Sequence, residues 1–327
     1  MRKDLTAGVV AAGTGVLVVA LLAAGGAPQP LPAGLTGAGQ PVSWAVPVLR
    51  LLADLAAIAC GGAVLAAAVL LPADESGKLA GKGIRACQDA AVAAAVWAVA
   101  SIGGLVGTAA VILGVPLAHL LDHAELAGGV VQVRALALTV VLTAVLAVVV
   151  SGARTVRSAR ICLVLVAAAL VPTLLTGHGA LARTGLWSVL ATSSLVVHVF
   201  AATVWIGGLA ALIRYTRDRG AVERFSRLAL VCAIAVGVTG LVTAEVHLGG
   251  REDGWGLITQ WVTTGYGALV FGKAVAFAAL VGIGWWHRRS TLPALVDRPV
   301  AFWRLAAAEL LLMAATVGLA VALSRTP

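Results

Sequence analysis

About nine long apolar segments occupy this chain, at approximately residues 6–25, 44–71, 87–113, 131–151, 161–176, 188–213, 228–248, 265–286 and 302–323. Most match or exceed the roughly 20 residues that a helix needs to cross the hydrocarbon core of a bilayer. Lipid offers no water to satisfy backbone N–H and C=O groups, so a segment of this kind satisfies them internally, as a helix. The expected fold is therefore all-α: a polytopic transmembrane helix bundle of about nine spans. Hydrophobic residues make up 61% of the chain and charged residues 11%, against about 25% charged residues in water-soluble domains. Residues 1–175 and 176–327 are read as two groups of helices, the first five spans and the last four.

Loop charge sets the orientation. Arg2 and Lys3 precede the first segment, and the same side receives Lys78, Lys82 and Arg85, then Arg154, Arg157 and Arg160. Arg214, Arg217, Arg219, Arg224 and Arg227 follow there, then Arg288, Arg289 and Arg298. The opposite loops hold Arg183 and Arg251, with Arg325 near the terminus. This bias predicts a cytoplasmic N-terminus and an outer C-terminus in a cell membrane. The net charge of +9 is thus topological, spread over membrane-flanking loops, and does not point to nucleic acid. The first segment has an alternative reading as a signal peptide, with a basic start and Ala24 to Ala27 before Pro28. Residues 114–130, with His119, Asp122, His123 and Glu125, suit a short interfacial helix on the outer side.

Function is sought among the few polar side chains at bilayer depth, where each charge costs several kcal/mol unless it has a partner or a wet cavity. Arg50 and Asp54, four residues apart, share a helix face. They are either a self-satisfied ion pair or part of an entrance for a cation or its carrier. His178 lies between Gly177 and Gly179 at the outer end of the fifth span. His198 lies within the sixth, with Trp205 on the same face before Gly207 and Gly208. A buried histidine in a water-soluble core is usually structural; in lipid, a ligand or transport role gains ground. Glu245 and His247 point to nearly opposite faces of the seventh span. Lys273 on the eighth is expected to pair with Glu245 or Asp54. Glu309 and Met313 share a face of the ninth. His287 is placed at the cytoplasmic interface, and Trp285, Trp286 and Trp303 in an aromatic belt on that side. The four cysteines read as small buried thiols, with disulfides or metal as the alternative. Glycines at 103, 104, 107, 207, 208, 237 and 240 mark close helix approaches.

The string from His198 through Trp205 to Gly207 and Gly208 resembles the histidine–tryptophan–glycine–glycine helix of CopD-type copper resistance membrane proteins. Three further stretches resemble the same family: Arg224 to Leu228 running into Thr239 and Gly240, Tyr266 and Gly267 through Lys273, and Glu309 to Met313 before the Leu323 to Pro327 end. The resemblance is specific over residues 176–327 and weaker over 1–175. It implies a multi-pass membrane protein in copper handling, usually uptake from the outer face. It also implies a soluble CopC-like copper binder as partner, and a CtaG-like domain or oxidase assembly factor as a further one. In that light His178, His198, Glu245, Glu309 and Met313 are the candidate copper donors. Arg50, Asp54, Trp205 and Lys273 are the other intramembrane residues of interest.

Beyond the initiator, Met313 is the single methionine. Cu(I) favours thiolate and thioether ligands, so histidine and carboxylate would do most of the binding, which suits Cu(II) or a weak transient site. A b-type haem electron carrier, with axial histidines, is the alternative. A non-conducting oxidase assembly partner is the third reading. No nucleophile–base arrangement and no phosphate-binding glycine loop stands in the sequence, so an enzyme is not expected.

Overall fold

The computed structural model describes residues 2–30, 32, 36–176, 186–216, 218–248, 261, 263–291 and 299–326. Among them, nine helices are long and apolar enough to cross a membrane. They are α1 (Arg2–Ala23), α2 (Gln40–Leu65), α3 (Gly81–Leu113), α4 (Val131–Ser151), α5 (Val156–Leu175), α6 (Leu186–Tyr215), α7 (Arg219–Leu248), α8 (Gly265–Trp286) and α9 (Pro299–Leu323). Residues 114–130 form two short 3-10 turns and a six-residue helix, Ala124–Gly129, where the sequence predicts an interfacial helix.

Several helices begin before the apolar segments do. α3 starts at Gly81, α5 at Val156 and α7 at Arg219, so each takes in a basic turn outside the apolar band. Local chemistry sets some of these starts. The Thr155 hydroxyl accepts the Ser158 N–H (3.1 Å) while the Ser158 hydroxyl accepts the Thr155 N–H (3.1 Å), a reciprocal cap on α5. The Thr264 hydroxyl likewise accepts the Gly267 N–H at the start of α8 (2.9 Å).

α2 is the central helix, packed against α3, α5, α6 and α9, while α1 lies along α9. At the crossing of α2 and α6, a methyl group on Gly62 would run into the Gly207 backbone, and one on Gly207 would meet the Ile58 carbonyl. Without a hydrophobic drive between helices in lipid, such backbone contact supplies the dispersion energy that holds them together. The crossing of α1 and α9 uses the same device at Gly13 and Gly318, which no glycine pattern in the sequence singles out. Gly103 and Gly107 admit Leu49 and Val46 of α2, as their spacing predicts.

The arginine-rich loops converge at one end. The Leu79 N–H donates to the Arg154 carbonyl and the Val156 N–H to the Gly77 carbonyl, both at 2.9 Å, stitching two loops together. Asp89 of α3 accepts from Arg214 Nε (2.9 Å) and from the Tyr215 hydroxyl (2.8 Å) of α6. Arg224 Nη2 donates to the Leu70 carbonyl (2.8 Å), left open where α2 ends in a π-helical turn, Ala66–Leu70. Arg288 donates to the Ser226 carbonyl. At this basic end two shallow clefts are lined by Ser76, Thr155, Arg157 and Arg160, and by Glu223, Ser226, Arg227 and Arg288.

The two largest buried clusters lie side by side. The first, between α2, α3, α4 and α5, is built from alanines such as Ala86, Ala90 and Ala94, with the thiols of Cys60, Cys87 and Cys162 fully enclosed. The second, between α6, α7, α8 and α9, is aromatic and contains Trp205, Phe225, Phe302 and Trp303 with Met313 and Cys232. All four cysteines are buried free thiols. Trp303, expected in an interfacial belt, is packed in the second core instead, whereas Trp285 and Trp286 are exposed as a belt requires. Valines and leucines at 19, 99, 148, 164 and 241 turn outward, the surface that lipid would cover.

Candidate functional site

α6 presents different chemistry to its neighbours. Gly207 and Thr203 face α2, while Ser194, His198 and Trp205 meet α7 and α8. The Thr239 hydroxyl of α7 donates to the Ala235 carbonyl one turn back (2.5 Å), so its lone pairs face His198 Nδ1 at 3.0 Å. The hydrogen bond therefore needs the proton on Nδ1, and Nε2 keeps the lone pair that a metal ion would use. The Thr239 carbonyl also accepts from Ser194 (3.1 Å) and Thr243 (2.8 Å), anchoring this hydroxyl ladder between α6 and α7. Gly240 faces the imidazole across ordinary contact distance, as the Thr239–Gly240 pair requires. Trp205 meets the edge of Phe277 on α8 (centroids 6.4 Å, 87°), and Gly237 leaves room for that ring.

Lys273 lies on α8. Asp54, one of the two partners expected for Lys273, is held by Arg50, with Nε at 3.2 Å from both carboxylate oxygens. Burial and the nearby Arg50 cation together lower the Arg325 guanidinium below its ordinary value. The alternative partner, Glu245, sits on α7, but its side chain and that of His247 lie outside the described residues, as does His178 altogether.

Glu309 and Met313 are both buried on α9, one turn apart. His287, expected at the interface, folds inward instead: its Nε2 stands 3.5 Å from Glu309 Oε2, and the two side chains are 12% and 6% exposed. α8 gives way at this residue to a π-helical turn, His287–Thr291. Phe302 packs edge-on against it (4.8 Å, 61°), with Trp303 behind (5.0 Å, 84°). The sequence reading missed this pair because the neighbouring Arg288 and Arg289 mark the position as interfacial. The available signal was that His287 and Glu309 lie on consecutive spans.

Of the five candidate donors, then, the structure sets His198 on the α6–α7 seam and Glu309 with Met313 on α9. Among the described residues, no group of three or more His, Cys, Asp and Glu is placed to hold a metal ion.

No curated protein and no solved structure matches the chain. The family described as Copper resistance protein D matches residues 219–323, about a third of the chain. That stretch comprises α7, α8 and α9, and it contains Thr239, Lys273, His287, Glu309 and Met313. Over its last three helices the chain is therefore similar to copper resistance protein D.

Proposed function

We propose that this protein carries copper ions inward across the cytoplasmic membrane through a histidine- and carboxylate-lined path. His198 receives the ion in the outer half, with His178 and Glu245 as further outer donors, and Glu309 with Met313 take it deeper. The observation that carries this reading lies in the matched segment. Thr239, inside the Copper resistance protein D match, accepts from His198 Nδ1 and so leaves Nε2 as the donor nitrogen. Second-sphere hydrogen bonds of this kind orient ligating histidines in metal sites generally. The scarcity of soft donors suits a path rather than a store, because a conducted ion must leave as readily as it enters. A soluble CopC-like copper binder on the outer side is the natural source of the ion, and a CtaG-like domain or oxidase assembly factor a natural recipient.

Copper accumulation in cells expressing the wild type and a His178→Ala/His198→Ala double variant tests the reading. Accumulation that drops to the background of cells lacking the protein is expected; unchanged accumulation overturns it. An absorption spectrum of the purified chain separates the alternatives. A haem Soret band would instead favour the electron carrier, and neither copper nor haem would favour the assembly partner.

A further inference from the structure

We infer that His287 is a metal donor, and that with Glu309 and Met313 it forms a second copper-binding position, distinct from the one at His198. The inference rests on the copper reading above. The 3.5 Å between His287 Nε2 and Glu309 Oε2 is longer than a good charge-assisted hydrogen bond, which closes to about 2.8 Å. It is instead close to the separation of two ligands on one ion. Donors at roughly 2.1 Å subtending a tetrahedral angle stand about 3.4 Å apart.

Three further observations fit the same assignment. Both side chains are almost enclosed, in a core walled by Phe302 and Trp303, so an ion there would be screened from water and held by its ligands. Met313, one turn beyond Glu309 and fully buried, offers a thioether as third donor, a ligand type that copper accepts and magnesium or calcium does not. π-helical turns are rare and recur at functional sites, and the one at the end of α8 begins at His287. The imidazole–carboxylate–thioether set takes copper in either oxidation state. It lies toward the basic end of the bundle, on the path an inward-moving ion would take after His198.

Copper titration of the full chain in lipid nanodiscs, against a competing chelator, tests this with three proteins: wild type, His198→Ala and His198→Ala/His287→Gln. Two binding events are expected in the wild type and one in His198→Ala. In the double variant the remaining event should weaken by roughly tenfold or more. A folded double variant that keeps the residual affinity overturns the inference. So does a His198→Ala protein that binds nothing, although the outer position and the transport reading then survive. A wild type without bound copper overturns both. If the glutamine variant does not fold, His287→Cys in the same background replaces one donor by another. A sulfur-to-copper charge-transfer band is then expected on adding Cu(II), and copper-loaded protein without that band overturns the assignment.

Discussion

The first core and the second core meet along α2 and α6, yet they are built on opposite principles. In the first, alanine and glycine let backbones touch, and among the described residues the ionisable groups enclosed are three thiols and the Tyr215 phenol. In the second, rings and a thioether enclose His287 and Glu309, and His198 lies along its edge. A membrane helix gains by close backbone packing and loses by carrying charge into lipid. The first core takes the gain; the second accepts the loss, which makes chemistry possible there. The family match, confined to α7, α8 and α9, coincides with three of the four helices of the second core.

The contrast breaks most easily at the seam. Gly62→Leu would force α2 off the Gly207 backbone, at a cost of about 3 kcal/mol or more. Little folded protein is expected by size-exclusion chromatography in detergent; a normal yield would show that the seam is not close-packed. Next in size is a pair of variants in the second core. His287→Leu alone leaves Glu309 buried without its imidazole and should cost about 1–3 kcal/mol. His287→Leu/Glu309→Met, which replaces both by apolar groups, should unfold at the wild-type temperature or above it while losing one of the two copper-binding events. A thermal scan of both proteins separates a residue kept for binding from one kept for packing.

Thr239→Val sharpens the comparison further. It removes the acceptor of His198 Nδ1 and should weaken copper binding roughly ten- to hundredfold, at a stability cost near 1 kcal/mol. Thr239→Ser should restore both. The smallest effect lies outside the two cores, in the loop after α2. The Ser76 hydroxyl (2.8 Å) and the Lys78 N–H (2.7 Å) hold the Asp74 carboxyl below its ordinary value. A lowered value means the ionised form is favoured by the folded loop. Its contribution is therefore complete at neutral pH and is lost as pH falls through and below the ordinary carboxylate range. Hydrogen exchange at the Lys78 amide should accelerate over that acid window in the wild type and show no such step in Asp74→Asn, with copper binding at neutral pH unchanged.

Much of the first core was readable from the sequence because its information is one-dimensional. Apolar length gives the spans, and the segment at 131–151 coincides with α4. Small-residue spacing gives the approaches at Gly103, Gly107 and Gly207. Helix starts were read late at α3, α5 and α7 because hydropathy marks where lipid begins, whereas backbone hydrogen bonding continues into basic turns such as Arg157–Arg160. The second core was only half readable. His198, Glu309 and Met313 stand out as polar or soft residues in apolar runs. Their partners do not: Thr239 is an ordinary helix residue until its hydroxyl is seen to be turned by Ala235, and His287 hides beside two arginines. Arg50 with Asp54 was legible because four residues make one helical turn, while Asp89 with Arg214 was not, because 125 residues separate them.

The enclosed thiols give each core its own clock. Cys60, Cys87 and Cys162 have no exposed surface in the first, and Cys232 is nearly as well covered in the second. A small alkylating reagent reaches such sulfurs only when the surrounding helices part, so the rate at which each is modified measures how often its own neighbourhood opens. In its four cysteines this chain therefore carries the means to time the opening of the two cores separately.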